Sequence, residues 1–285
     1  MKPDPRFLNQ PKHFWANVRS ISQHVGYTAR GTEQILVPDL AAIVKALGEL
    51  NLGTGHVVEA DGKPTTTGAS LVAYFAYRAD LLTKFVQPRL MNAEQAAKAF
   101  GRVRKATKCK LPVPMNKQKG DKRKPAYLTA IVNMLIDANI CGLPCDYDPR
   151  ELTTFTQSGA PLRTLARRID GAFPSAVNPV AVWEIKEYYY TTTFGSRVAD
   201  GVYETLLDGM ELEELRQSGK VDCKHYLMID ARFTWWDCGR SYLCRIVDML
   251  HMGYVDEVLV GTEVLNRVPE LAREWIVAFN ASRPK

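Results

Sequence analysis

At 285 residues, with 46% hydrophobic and 24% charged residues, the chain can form one large domain or two ordinary ones, and its composition excludes the disordered and fibrous classes. No apolar run reaches the roughly 18 residues that a membrane-spanning helix needs. The net charge of +6 is unevenly spread: residues 101 to 124, GRVRKATKCKLPVPMNKQKGDKRK, carry a local +9, which leaves the remainder near −3.

The elements predicted along the first part of the chain are mostly helical. Phe14, Trp15, Val18, Ile21 and Val25 recur at helical spacing. A second helix follows Asp39 as N-cap and stops at Gly53 and Gly55, and Asp61-Gly62 reads as the turn of a short hairpin. Helices over 69 to 86, ended by Pro88, and over 93 to 105 lead into the basic stretch. That stretch, broken by Pro112, Pro114 and Gly120, has the character of an exposed loop suited to a phosphate backbone, where each neutralised phosphate releases counterions. Its candidate nucleic-acid contacts are Arg102, Arg104 and Lys105 before the prolines and Lys117, Lys119, Lys122, Arg123 and Lys124 after them. A solvated linker is the competing reading.

Beyond residue 125 the pattern changes. An apolar helix over 127 to 140 is followed by strand candidates at 161–169, 180–187, 225–230 and 257–261, alternating with helices at 196–209, 241–252 and 268–279. This order predicts an α/β fold with a mixed central β-sheet flanked by helices, preceded by a mainly helical N-terminal region. The expected division is 1–125 and 126–285. The six cysteines contain no CxxC pair and are too few for a disulfide scaffold, so they are expected as thiols. The opening MKPDPRFLNQPKHFW lacks the apolar core and cleavage site of a signal peptide, which predicts a cytoplasmic location.

The stretch VAVWEIKEYYY concentrates the chemistry. In a strand, Val180, Val182, Glu184 and Lys186 share one face and Ala181, Trp183 and Ile185 the other, so both faces are apolar and the strand is central and covered. A buried charge there must be paired or bind a metal. Acid-x-Lys recurs at Asp61-Gly62-Lys63 and Asp222-Cys223-Lys224, but only Glu184-Ile185-Lys186 lies inside an apolar strand. Upstream, Leu162 to Ile169 reads as a strand ending at Asp170, with Gly171 and Pro174 turning the chain back so that Asp170 meets Glu184. Two converging carboxylates call for a cation, and Mg²⁺ is held by one or two carboxylates plus waters. An ion pair closing a sheet end is the alternative.

The run RRIDGAFP followed by VAVWEIKEYY resembles the PD-(D/E)XK nuclease superfamily, and type II restriction endonucleases most of all. The resemblance covers residues 125 to 262. It implies a restriction-endonuclease-like core, a phosphodiesterase activity, Asp170 and Glu184 as ligands of one or two Mg²⁺, and Lys186 as the charge-stabilising residue beside an attacking water. Ile169 stands where the signature often has proline. The acid that the family frequently carries on a preceding helix is matched by Asp137, or in the loop by Asp148 or Glu151.

Together these features predict a Mg²⁺-dependent, sequence-specific endonuclease acting on double-stranded DNA as a homodimer, since cutting both strands takes two sites. The N-terminal region would serve recognition and dimerisation, and Arg197, with Ser196 as N-cap, offers a further phosphate contact at a helix start. Tyr188, Tyr189 and Tyr190 suit base stacking or strand continuation, Trp235 and Trp236 suit burial, and Asp230 ends its strand as a turn residue or a further acid. A non-catalytic nucleic-acid-binding protein, and a structure-directed repair, junction or defence nuclease, are the alternatives.

Overall fold

Capping side chains set the helix starts in the N-terminal half. Asp39 accepts from the Ala42 backbone N at 2.8 Å to open α3 (Leu40–Glu49), and Thr65 accepts from the Gly68 N at 3.1 Å to open α4 (Thr66–Leu81). With α1 (Pro5–Leu8) and α2 (Lys12–Val25), these helices enclose a core of Phe14, Trp15, Ile21, Ile43, Leu71, Tyr74 and Phe75. The computed structural model describes residues 1–29, 31–116, 124–191, 195–219 and 221–282. The expected hairpin around Asp61-Gly62 is a turn closed by a single Val58–Pro64 bridge, without strands of its own.

After a π-helical turn over Leu82–Val86, α5 (Ala93–Thr107) starts with a reciprocal capping box between Asn92 and Gln95 and packs against α6 (Tyr127–Asp137). A four-stranded mixed sheet follows, in the order β3 (Gly171–Phe173), β4 (Ala181–Glu187), β5 (Lys224–Asp230), β6 (Glu257–Val260). β3 runs antiparallel to β4, and β4, β5 and β6 are mutually parallel. The parallel steps cross over through α7 (Ser196–Gly219) and α8 (Arg240–His251), and α9 (Val264–Ser282) closes the chain. Ala181, Trp183 and Ile185 of β4 face the core formed with α5, α6 and α9, whereas Val182 packs with Leu212 and Leu215 of α7. Both faces of the strand are therefore covered, as its apolar alternation requires. Trp183 stacks on Trp275 of α9 with ring centroids 5.2 Å apart.

One predicted strand is corrected. Residues 162–169 do not form a single strand leading to Asp170. Ala160–Thr164 is β2, paired only with β1 (Thr154–Gln157) in a separate hairpin sheet, and the strand beside β4 is the three-residue β3. The cause lies in two arginines four residues apart. Arg163 meets Glu211 at 3.0 Å and Arg167 meets Asp208 at 2.6 Å, so acids along one line of α7 draw the segment out of the sheet plane. Gly171 then opens β3 where a Cβ would lie 2.1 Å from the Trp183 ring. Only glycine fits there.

The helical N-terminal region is joined to the sheet layers by a buried ion pair. Arg78 Nη1 lies 3.1 Å from both oxygens of Asp248 on α8, and the Tyr74 hydroxyl donates to Asp248 at 2.6 Å. Trp235 and Trp236 are buried as expected, within a π-helical turn over Phe233–Cys238. Among the described residues, no helix is long and apolar enough to cross a membrane. Removing one partner of the Arg78–Asp248 pair strands a buried charge, so Asp248→Ala is expected to lower stability by about 3–5 kcal/mol in urea denaturation. Arg78→Leu with Asp248→Leu removes both charges and should recover much of that loss. Equal stability of Asp248→Ala and the parent chain would refute the assignment.

Candidate active site

The antiparallel register sets Gly171 opposite Trp183, and Asp170, one residue before β3, lies in hydrogen-bond contact with Glu184. Their main chains interlock with their side chains. The Asp170 backbone N donates to Glu184 Oε1 at 3.1 Å, and the Ile185 backbone N donates to Asp170 Oδ2 at 2.8 Å. Lys186, two residues on and on the same face, places Nζ 2.6 Å from Glu184 Oε2. Its stem lies against Gly201 of α7, where a Cβ would come within 3.2 Å of Lys186 Cδ. The three residues singled out in the sequence are thus neighbours.

Three further residues that the sequence reading did not weigh complete the cluster. Arg167 contacts Glu184 at 3.0 Å, Asp208 at 2.6 Å and Glu204 at 3.4 Å, and Glu204 also lies 3.0 Å from Lys186 Nζ. Glu204 and Asp208 stand four residues apart on α7, hence on one helix face. That spacing is visible in the sequence, but the buried face of α7 also carries Thr205 and Glu211, so no apolar stripe sets the two acids apart.

Charge compensation differs sharply across the cluster. Burial pushes the Glu184 carboxyl up, but Lys186 and Arg167 outweigh it and hold the group below its ordinary value. Burial, reinforced by the negative charge of Glu184, raises Asp170 to about 6. The same two causes raise Asp208 to about 7. Burial works against the charge of Lys186, yet Glu184 and Asp170 prevail and hold it above its ordinary value, so the ammonium stays protonated and acts as a cation rather than a base. Among the described residues no three His, Cys, Asp or Glu side chains converge as a ready cage for a metal ion.

The other acids considered lie elsewhere. Asp137 sits at the C-terminal end of α6 and accepts from the Cys109 thiol at 3.1 Å, Asp148 pairs with Arg150 at 2.9 Å, and Glu151 is exposed. None has a described contact with Asp170, Glu184 or Lys186. Glu187 instead serves the other end of α6, accepting from the backbone N of Leu128 at 3.0 Å and of Thr129 at 3.1 Å. Asp230 is a buried tie: its carboxylate accepts from the backbone N of Met91 at 2.7 Å and of Ala231 at 2.8 Å and from the Tyr189 hydroxyl.

Of the basic candidates, Arg102, Arg104 and Lys105 are exposed on α5, and Arg102 and Lys105 line a cavity of about 670 Å³ with Gln95, Lys98 and Thr262. Lys124 places Nζ 4.9 Å over the Tyr190 ring. Lys117, Lys119, Lys122 and Arg123 lie outside the described residues, as does the side chain of Arg197, whose backbone belongs to the first turn of α7. Tyr188 packs beside Trp235 at 5.7 Å, just past the end of β4.

Residues 91–275 match the model of a family described as a domain of unknown function (DUF7687), and residues 1–85 match a second domain of unknown function (DUF7690). No curated protein and no solved structure matches the chain.

Burial raises Asp230 from 3.8 to about 7. A carboxyl raised in the folded state takes up a proton on folding, so its contribution is full below the unfolded value and lost as pH rises through about 7. Between pH 5 and pH 8 the melting temperature of the parent chain should therefore fall by a few degrees more than that of Asp230→Asn, at about 2–4 °C per kcal/mol for a chain of this size. Parallel pH profiles for the two proteins would rule this out.

Proposed function

The chain belongs to the DUF7687 family, a domain of unknown function, and from the geometry of its charged cluster we propose that it is a Mg²⁺-dependent endonuclease of PD-(D/E)XK type, hydrolysing phosphodiester bonds of double-stranded DNA at specific sequences. The observation that carries the reading is the interlock of Asp170 with Glu184, with Lys186 Nζ 2.6 Å from the same carboxylate. A mixed sheet covered by helices on both faces agrees with a restriction-endonuclease-like core.

The donor set fits a hard divalent cation. Mg²⁺ takes oxygen ligands and keeps several waters, so two adjacent carboxylates suffice. Asp170 and Glu184 are adjacent, and burial, with the negative charge of Glu184 added to it, raises Asp170. These two residues would hold the ion, which supplies Lewis acidity and activates a water when bound. Lys186, kept protonated, offers fixed positive charge where negative charge develops on the phosphate. The exposed α5 residues Arg102, Arg104 and Lys105, together with Lys124, would neutralise backbone phosphates and carry no base readout. A two-fold dimer presenting two sites is part of the same proposal.

Incubation of plasmid with the purified protein and Mg²⁺ is expected to give discrete fragments. EDTA should abolish them, and Lys186→Ala should slow cleavage by about 10²–10³-fold, the usual cost of losing one charge-stabilising donor. Plasmid left intact across metals and salts sinks the nuclease reading in favour of a nucleic-acid-binding protein. Cutting confined to branched DNA replaces sequence specificity with structure-directed choice.

A further inference from the structure

The charges at the end of β4 are not paired one to one. Glu184 Oε1 is contacted by Arg167 Nη1 at 3.0 Å and by the Asp170 backbone N at 3.1 Å, while Oε2 is contacted by Lys186 Nζ at 2.6 Å and by Arg167 Nη2 at 3.2 Å. Both oxygens are saturated. The same Arg167 Nη1 lies 2.6 Å from Asp208 Oδ2, so a single nitrogen bridges a carboxylate of the central strand and a carboxylate of the crossover helix.

A position shared by two buried carboxylates from different elements is one that a divalent cation can fill. Two independent observations point the same way. Asp208 is wholly buried, yet among the described residues its Oδ1 has no hydrogen-bond partner, an arrangement that costs about 1–3 kcal/mol unless something else satisfies it. The cluster also holds four carboxylates, Asp170, Glu184, Glu204 and Asp208, against the two cations Arg167 and Lys186, which leaves it two positive charges short when all are ionised.

We propose that Arg167 and a divalent cation compete for one bridging position between Glu184 and Asp208, with Asp208 the cation ligand that α7 contributes. The proposal rests on the cation of the nuclease reading and names a ligand and a competitor for it. An ion about 2.0–2.1 Å from each oxygen leaves no room for a guanidinium nitrogen at the same point, and the two positive charges repel. Of the two cations, Arg167 is the one placed to be displaced. It stands between β2 and β3 in neither strand nor helix, with a side chain 22% exposed, whereas Lys186 belongs to the central strand and is 11% exposed. Once displaced, a planar guanidinium suits bidentate contact with a phosphate. Entry of the cation thus turns Arg167 from a brace of the carboxylates into a group for the anionic substrate.

The test is calorimetric titration with Mn²⁺ alone, without DNA, on the full-length parent chain, Arg167→Leu, Asp208→Asn and the double variant, each checked for native circular dichroism. Arg167→Leu is expected to bind Mn²⁺ about 10-fold more tightly and Asp208→Asn about 10-fold more weakly, a typical span for groups that tune a metal site. The double variant should bind no more tightly than Asp208→Asn. Unchanged or weaker binding by folded Arg167→Leu, or unchanged binding by Asp208→Asn, overturns the proposal. Should Arg167→Leu fail to fold, Arg167→Gln takes its place, with the same tighter binding expected and the same unchanged or weaker binding overturning the competition. Plasmid cleavage separates this outcome from the broader reading: tighter Mn²⁺ binding by Arg167→Leu in a protein that cuts no DNA keeps the competition and discards the nuclease, whereas cutting with unaltered Mn²⁺ affinities does the reverse.

Discussion

A carboxylate with no solvent exposure, Glu184, sits in the middle strand of a sheet covered on both faces, and the local architecture answers to the need to compensate it. An isolated ionised carboxylate in such a place is prohibitively costly, whereas one holding good hydrogen bonds and counter-charges is tolerable. Lys186 supplies one counter-charge from the same strand face. Arg167 supplies the other from the connection between β2 and β3. That second contribution has structural consequences: the connection must leave the sheet, β3 must be short, and α7 must bring Asp208 and Glu204 to the far side of the guanidinium.

The ends of β4 and β5 are held by acids that do different work. Glu187 caps the N-terminus of α6, where the helix dipole and free backbone N–H groups favour an anion. Asp230 fixes the start of α5 through Met91 and draws in Tyr189. Two helices from before the sheet in sequence are therefore tied to the ends of β4, which carries Glu184 and Lys186, and of its neighbour β5. The Arg78–Asp248 pair performs the same service for the first four helices. Each tie is an acid held by hydrogen bonds from an element distant in sequence.

Periodicity carried much of this fold. The both-face apolar pattern of β4, the helix after Asp39, the helix over 93–105 and the strands β5 and β6 follow from spacing and capping rules applied to the residues alone. The stretch 162–169 misled that reading because Leu162, Thr164, Leu165 and Ile169, ahead of a glycine turn, have the composition of a strand. Only the distant acids of α7 show where Arg163 and Arg167 go. Asp170 was legible by type and nearness to a turn, though its setting, one residue before β3 rather than at the end of a long strand, was not. Glu204 and Asp208 escaped notice for the complementary reason: i, i+4 acids on a long helix usually face water, and nothing local to α7 reveals that it lies across β4. Long-range partners, rather than local propensity, decided every point where reading and structure part.

The reciprocal bonding of Asp170 and Glu184 has an evolutionary corollary. Each acid is anchored by the other strand's peptide amide and not by the other's side chain. Every amino acid except proline brings such an amide, so either position can drift in identity without unseating its neighbour. Replacing Asp170 by any residue but proline therefore leaves the amide that holds Glu184 in place, and replacing Glu184 leaves the amide that holds Asp170.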